Sequence, residues 1–289
     1  MIKLNLGASP IWSKKGWHTL DHKLSQSTDN AIAGDASNIL LPDESCEIVF
    51  CSHVFEHIPH IRLPMVISEI NRVLKPGGLL RILTPDLESI ARAYVHKDDK
   101  FFNDAKDEDE SLRTDLGYGG SFVNFIVSPG QDTALLDRDL GSFIAGYAHL
   151  YSYDYEMMKI LFTKLGFSPR KAIFNDSIVE EMQEPLHVIG LEAKWQNLNQ
   201  KFYNDNNLIH KLVDGKYHIN FKVTGFDRDP LTSLIVEAKK TSHIPKEEAD
   251  NIFNKTDKNY NKYSFSLLRS DDFVNILEKK DIKFSSKKE

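Results

Sequence analysis

The chain reads as an α/β fold built on a parallel sheet, and the stretch from Glu47 to Asp86 carries that reading. Ile48 to Cys51 is an uninterrupted apolar run, the mark of a strand buried on both faces. From Arg62 to Leu74 the apolar residues Leu63, Val66, Ile67, Ile70, Val73 and Leu74 fall at helical spacing. Lys75-Pro76-Gly77-Gly78 stops that helix, because proline cannot continue it and glycine tolerates the turn. Leu79 to Leu83 is a second buried-type strand. Strand, helix and strand joined by a crossover of this length predict parallel pairing with a right-handed connection.

The elements before this unit follow the same logic. Ile2 to Leu6 reads as the first strand, and Gly7-Ala8-Ser9-Pro10 turns out of it. A strand followed at once by a glycine turn lets backbone N–H groups approach a ligand closely. Trp17 to Leu20 reads as the second strand with Asp21 at its carboxyl end, and Ala31 to Ala33 as a short third leading into Gly34-Asp35-Ala36-Ser37. After Glu47 the fourth strand runs into Ser52-His53-Val54-Phe55-Glu56-His57, and the fifth into Thr84-Pro85-Asp86. Open α/β sheets bind ligands at this carboxyl edge.

These motifs together resemble the class I S-adenosylmethionine (SAM) dependent methyltransferases of the small-molecule type. The likeness rests on LNLGAS (residues 4–9), GWHTLD (16–21), GDASNILLPDESCEIV (34–49), SHVFEHI (52–58) and NRVLKPGGLLRILTPD (71–86). A weaker echo follows in HLYSYDYEMMKILFTKLGF (149–167) and SLIVEAKK (233–240). The resemblance implies a Rossmann-like, doubly wound, seven-stranded sheet, mostly parallel, with an antiparallel last strand. It further implies SAM against Leu6, Gly7, Ala8 and Ser9, with Asp21 beside His22 on the ribose. The purine would lie against Asp35, Ala36 and Ser37, with Ser52 and His53 closing the pocket. One departure stands out: the family's usual second glycine is Ser9 here, followed by the stiffening Pro10.

Each of these residues also has a plain structural use. Gly7 suits an ordinary turn, Asp21 and Asp35 suit caps or Asx turns, and Asp86 suits the start of a helix over Leu87 to Val95. His53 to His57 also spells H-x-x-E-H, a zinc pattern of one metallopeptidase group. That pattern belongs on a continuous helix, whereas here it straddles a strand exit, so no metal is expected.

Beyond the fifth strand the signal thins. Lys97 to Asp115 is rich in Asp and Glu and reads as a solvated insertion, and Leu116 to Leu140 reads as a glycine- and aromatic-bearing loop. Tyr118, Phe122, Phe125 and Gln131 are candidates for a lid across the lid-like insertion at 97–148. His149 precedes a helix over Tyr155 to Lys164, and Arg170 to Phe174 is expected as the sixth strand. The last strand is either His187 to Ala193 or Ser233 to Ala238, the latter fitting the family better. Lys194 to Lys222 then forms an inserted helix plus strand within a further insertion at about 186–225, suited to contact with a second copy in a homodimer. The domain is expected to span 1–240. The extension 241–289 is Lys- and Asn-rich, with helical patches at Lys246 to Phe253 and Asp271 to Glu278.

Composition narrows the function. Among 289 residues, 36 basic side chains are outnumbered by 42 acidic ones, giving a net charge of −6 and no general attraction to nucleic-acid phosphates. No apolar run approaches a membrane span, and the strand-like Ile2 to Leu6 leaves no leader at the start. Cys46 and Cys51 lie five apart across a predicted strand start, so no disulfide is expected between them, which fits a reducing cytoplasm. The expectation is a methyltransferase acting on a small molecule or sugar, with oxygen favoured over nitrogen. The catalytic candidates are His57, His149, His53 and Asp86. The alternatives are a non-catalytic SAM-fold scaffold, or an NAD-dependent dehydrogenase, which would need a G-x-G-x-x-G after the first strand.

Overall fold

The structure, a computed structural model, describes residues 1–8, 12, 14–22, 24, 26–104, 117–127, 149–173, 176–182, 212–213, 216–217, 226–227, 232–245 and 247–249. Ser9, Pro10, Gln131, His187–Ala193 and most of the expected 186–225 insertion and C-terminal patches lie outside them. One compact unit spans Met1–Pro245 and a second Lys246–Glu289.

The first unit is organised on a seven-stranded sheet of order β3-β2-β1-β4-β5-β9-β6. Its strands are β1 (Ile2–Leu6), β2 (Trp17–Asp21), β3 (Ala31–Ala33), β4 (Cys46–Ser52), β5 (Leu74–Pro85), β6 (Phe167–Ala172) and β9 (Ser233–Lys240). A separate two-stranded ribbon pairs β7 (Leu212–Val213) with β8 (Lys216–Tyr217). The first five strands pair in parallel, and β9 runs antiparallel to both β5 and β6. The mostly parallel sheet with a reversed last strand is therefore as expected, and Ser233–Lys240 rather than His187–Ala193 supplies that strand.

Helix α1 (Leu63–Val73) crosses from β4 to β5 and buries Val66, Ile67, Ile70 and Val73, the stripe read from its spacing. It also anchors its neighbours. Arg72 donates to the carbonyls of Ile39 and Leu41 and to Asp43, fixing the chain before β4. Asn71 donates to the carbonyls of Leu165 and Ser242, tying the turns at the ends of β6 and β9 to this helix. Helix α2 (Leu87–His96) follows β5, then α3 (Asp99–Asp104), α4 (Gly117–Val127) and α5 (Tyr155–Lys164).

Two expectations need correcting. Residues 117–127 form a helix, not a loop. Their glycines suggested a turn, but Tyr118, Phe122 and Phe125 lie on one helical stripe and meet aromatic partners: Phe122 packs on Tyr94, and Phe125 on Phe101 and Phe102. The sixth strand begins at Phe167, directly after the Gly166 turn, and ends at Ala172 instead of running to Phe174. Antiparallel pairing with β9 from Phe167↔Lys240 to Ala172↔Ile235 fixes that frame, and Ile173 is already exposed.

Among the described residues the connections from β1 to β2, β2 to β3 and β3 to β4 contain no α-helix. The sheet face bearing Trp17, Ile48, Phe50, Leu83, Ala172 and Ile235 is instead covered by Met182 and Phe226, with Trp12 and Val179 packed beside them. The Phe226 ring lies 5.0 Å from Trp17 and 5.2 Å from Phe50. Chain from beyond β6 thus closes a face that crossover helices cover in a regular doubly wound sheet.

Candidate functional site

Because β1 to β5 are parallel, Asp35, Asp21, Gly7, His53 and Asp86 lie in that order along one edge of the sheet. At about 4.8 Å per strand, the step from β3 to β4 spans roughly 14 Å, the reach of a nucleoside with a short tail. Between β1 and β4 the strand order reverses, the place where such sheets open a crevice.

Gly7 sits at the centre of this edge with φ +74°, and its N–H donates to Leu20 O at 2.7 Å. A Cβ at this position would meet Val54 Cγ2 at 2.3 Å. Only glycine satisfies both the backbone twist and that approach. Ala8 is buried beside it. At the end of β2, Asp21 has a side chain only 7% exposed, with His22 Nδ1 at 3.8 Å. Asp35 is more open, 57% exposed at the side chain, and its Oδ1 accepts from Ser37 N at 2.8 Å and from Ser37 Oγ. Partial burial works against the Asp35 carboxylate, but the Ser37 bonds and the nearby Arg62 guanidinium outweigh it and lower the pKa. Arg62 also donates to Ser37 Oγ at 2.9 Å, so the turn containing Ala36 is a braced one.

The carboxyl end of β4 is denser. Ser52 Oγ is buried and has no hydrogen-bond partner among the described residues. His53 adopts φ +51°, unusual for a non-glycine residue and a form of strain found at functional sites. Its backbone N–H donates to Leu83 O at 2.8 Å. Its ring is held at both ends, Nδ1 donating to Glu56 Oε1 at 3.0 Å and Nε2 lying 3.1 Å from Ser233 Oγ. A ring so engaged positions its neighbours and leaves little for proton traffic.

Glu56 is the residue that sequence reasoning passed over. It is completely buried at the start of a short 3₁₀ turn (Phe55–His57). Thr84 Oγ1 donates to its Oε2 at 3.2 Å, and its backbone carbonyl accepts from Leu150 N and Tyr151 N. That last contact brings the chain before α5 onto β4. Burial opposes the ionised form, yet the hydrogen bond from His53 and the imidazoles of His53, His57 and His149 hold its pKa at about 2. The His57 and His149 rings meet edge to face, 5.0 Å apart. Ligand-type atoms of Glu56, His57 and His149 all lie within 4.8 Å of one another. Burial lowers the His149 pKa to about 4 against the opposing pull of Glu56.

Helix α4 roofs this cluster. His149 N donates to Val127 O at 3.2 Å, and His149 Nδ1 lies 3.4 Å from Phe125 O. A carbonyl only accepts, so Nδ1 carries the hydrogen and the lone pair is on Nε2. Beside the cluster Tyr151 stacks on His60 at 4.2 Å. Tyr153 is fully buried, and its hydroxyl has no hydrogen-bond partner among the described residues. Burial pushes that phenol's pKa up, with Tyr151 and Glu56 adding to the shift.

Asp86 stands apart from this group. Its Oδ1 accepts from Glu88 N at 3.2 Å and its Oδ2 from Ser89 Oγ at 2.8 Å, capping α2. Lys171 Nζ lies 3.5 Å from Oδ2. Of the sequence candidates, His53, His57 and His149 converge around Glu56, whereas Asp86 serves the helix start.

Residues 15–82 match a family described as a methyltransferase domain. The match runs from β2 to β5, so it includes Asp21, Asp35 and His53 to His57 but not Gly7, Asp86 or His149. No curated protein matches the sequence. Among solved structures, the chain is similar to an S-adenosylmethionine-dependent methyltransferase from Listeria monocytogenes described as putative, at 12% identity and a TM-score of 0.42, covering 83% of this chain and 90% of that one. It is also similar to an S-adenosylmethionine-dependent methyltransferase from Mesorhizobium loti, at 10% identity and a TM-score of 0.40, over 83% and 90% of the two chains. A third is a SAM-dependent methyltransferase from Archaeoglobus fulgidus, at 17% identity and a TM-score of 0.38, over 83% and 86%.

Proposed function

We propose that the chain is a class I SAM-dependent methyltransferase, with SAM as its cofactor, and that it methylates a hydroxyl group of a small molecule or sugar. The observation that carries the proposal is the meeting of Glu56, His57 and His149 at the β4 end of the same edge that holds Gly7 and Asp21.

The residues of that edge fit the cofactor. Gly7 lets the turn after β1 pack its backbone against Val54 at the sheet edge, and buried Ser52 Oγ lacks a protein partner among the described residues. Asp21 accepts the ribose hydroxyls, and the braced Asp35–Ser37 turn borders the purine. Bound SAM supplies a methyl group already activated on a sulfonium sulfur. The chain's own task is to align an acceptor oxygen, exclude water and take up the proton the hydroxyl loses. Alignment of this kind is worth on the order of 7–11 kcal/mol. Within the cluster Glu56 and His149 are held at low pKa values, so His57 is the group placed to take that proton. Helix α4, with Phe125 above His149, serves as the roof that keeps water out.

Among the described residues no helix is long and apolar enough to cross a membrane. Cys46 and Cys51 are free and buried, which supports a reducing, cytoplasmic setting. Titration of the full chain with S-adenosylhomocysteine tests the reading. Heat of binding that is lost in Asp21→Ala supports it. A flat titration in wild type would instead make this a scaffold that has kept the fold without the cofactor.

A further inference from the structure

We propose that Glu56, His57 and His149 form a binding site for a divalent transition-metal ion of the zinc class. The sequence pointed away from a metal here, because H-x-x-E-H at a strand exit cannot use His53 and His57 as a helical pair. The fold supplies a different set: His53 is engaged by Glu56 and Ser233, and His149, hydrogen-bonded to the end of α4, completes the group.

Three observations support the site. Two imidazoles and one carboxylate within 4.8 Å of one another are the donor set of catalytic zinc centres, which keep a fourth position open. Metal–ligand distances of about 2.0–2.2 Å place such donors roughly 3.4 Å apart, so side-chain rotation alone closes the gap. The surroundings also match those of metal ligands. His149 Nδ1–H is directed to Phe125 O, which leaves Nε2 for the ion, and the Glu56 carboxylate is oriented by His53 Nδ1 and Thr84 Oγ1. Each carboxylate oxygen keeps a second lone-pair direction for a metal. Finally, the buried Tyr153 hydroxyl, close enough to Glu56 to feel its charge, has no partner among the described residues, and a metal-bound oxygen would supply one.

Imidazole and carboxylate donors select zinc or its neighbours over magnesium or calcium. The role of the ion in turnover rests on the methyl-transfer reading: with these side chains taken up as ligands and not as proton acceptors, a hydroxyl at the open position would be more acidic and would lose its proton to solvent. The site itself does not rest on that reading.

The test uses the untagged full chain, stripped with a chelator and then titrated with Zn²⁺ against a chromophoric competitor. S-adenosylhomocysteine binding and thermal unfolding are followed on the same samples. The expected result is stoichiometric Zn²⁺, bound at least tenfold more weakly by His57→Ala and by His149→Ala, with S-adenosylhomocysteine binding retained. Zn²⁺ bound equally by wild type and the His57→Ala/His149→Ala double variant overturns the site, as does no binding by a chain that still takes S-adenosylhomocysteine. The cluster then acts as proton acceptor alone. Zn²⁺ held by a chain that ignores S-adenosylhomocysteine leaves the site standing and removes the methyl-transfer reading. Should an alanine variant fail to fold, Co²⁺ added to wild type decides: intense visible absorption marks a low-coordinate site, and the pale spectrum of free Co²⁺ overturns it.

Discussion

Two clusters of buried charge flank the central strands, and they are built in opposite ways. On β5, Arg81 is wholly buried and donates Nε and Nη2 to Asp227, and Nη1 to Glu237 at 2.8 Å and to Asp176 O at 3.1 Å. Glu237 in turn accepts from Arg170, Ser177 and Ile178 N. Every strong valence there is met by another part of the chain. At the carboxyl end of β4, Glu56 is equally buried, yet the hydroxyls of Ser52 and Tyr153 remain without hydrogen-bond partners among the described residues. The first cluster fastens residues 176–182 and 226–227 over a sheet face. The second holds hydroxyls that nothing among the described residues satisfies. Saturation marks a structural cluster, and incompleteness marks a site.

The sharpest way to break the comparison is Arg81→Ala. It strands Asp227 and Glu237 in the interior and is expected to cost about 3–5 kcal/mol of stability by urea unfolding, since a broken buried pair leaves an uncompensated charge. S-adenosylhomocysteine affinity per folded molecule stays near wild type. Loss of affinity without loss of stability would move Arg81 into the site.

Gly7→Ala comes next. The new Cβ is forced into Val54 at a backbone angle disfavoured for alanine, and about 1–3 kcal/mol of stability is expected to go. Here the two readouts move together: S-adenosylhomocysteine affinity falls at least tenfold by calorimetry, because the turn is part of the cofactor edge.

His57→Ala and His149→Ala reverse the pattern. Each is expected to change stability by only about 1 kcal/mol. Turnover of an accepted substrate should fall by about 10²- to 10⁴-fold, the usual worth of a group that manages the acceptor's proton. Equal losses of turnover and cofactor affinity would make these histidines binding or folding residues.

How much of this was readable beforehand follows from the range of the contacts. The strands of the sheet were legible because burial on both faces leaves continuous apolar runs, as in Val49, Phe50 and Cys51. Helix α4 was not, since its glycines argue for a loop until the aromatic partners on α2 and α3 are in place. Asp21, Asp35 and the His53–His57 segment were visible because they follow strands directly. The convergence of His149 on Glu56 was not, because it depends on helix α4 and a backbone contact that bridge most of a hundred residues. Arg81 lies inside the run Leu79 to Leu83 that reads as a buried-type strand. Its partners Asp227 and Glu237 lie 146 and 156 residues further on, beyond any local pattern.

The smallest expected effect on stability separates the two clusters most cleanly. Tyr153→Phe removes one oxygen from a site where it has no partner among the described residues and leaves the ring's tilted contacts with Tyr151 and His60 in place. An unpaired buried hydroxyl costs about 1–3 kcal/mol in the folded state, so its removal should leave stability unchanged or raise it by up to about 1 kcal/mol. A hydroxyl that bonds only to the bound acceptor gives a different result in kinetics, where turnover is expected to fall roughly tenfold, the worth of one hydrogen bond. Urea unfolding and steady-state rates on one preparation read both. A variant that loses stability would show that Tyr153 is paired in the free protein, through an ordered water, and would move it to the saturated kind of cluster that Arg81 represents.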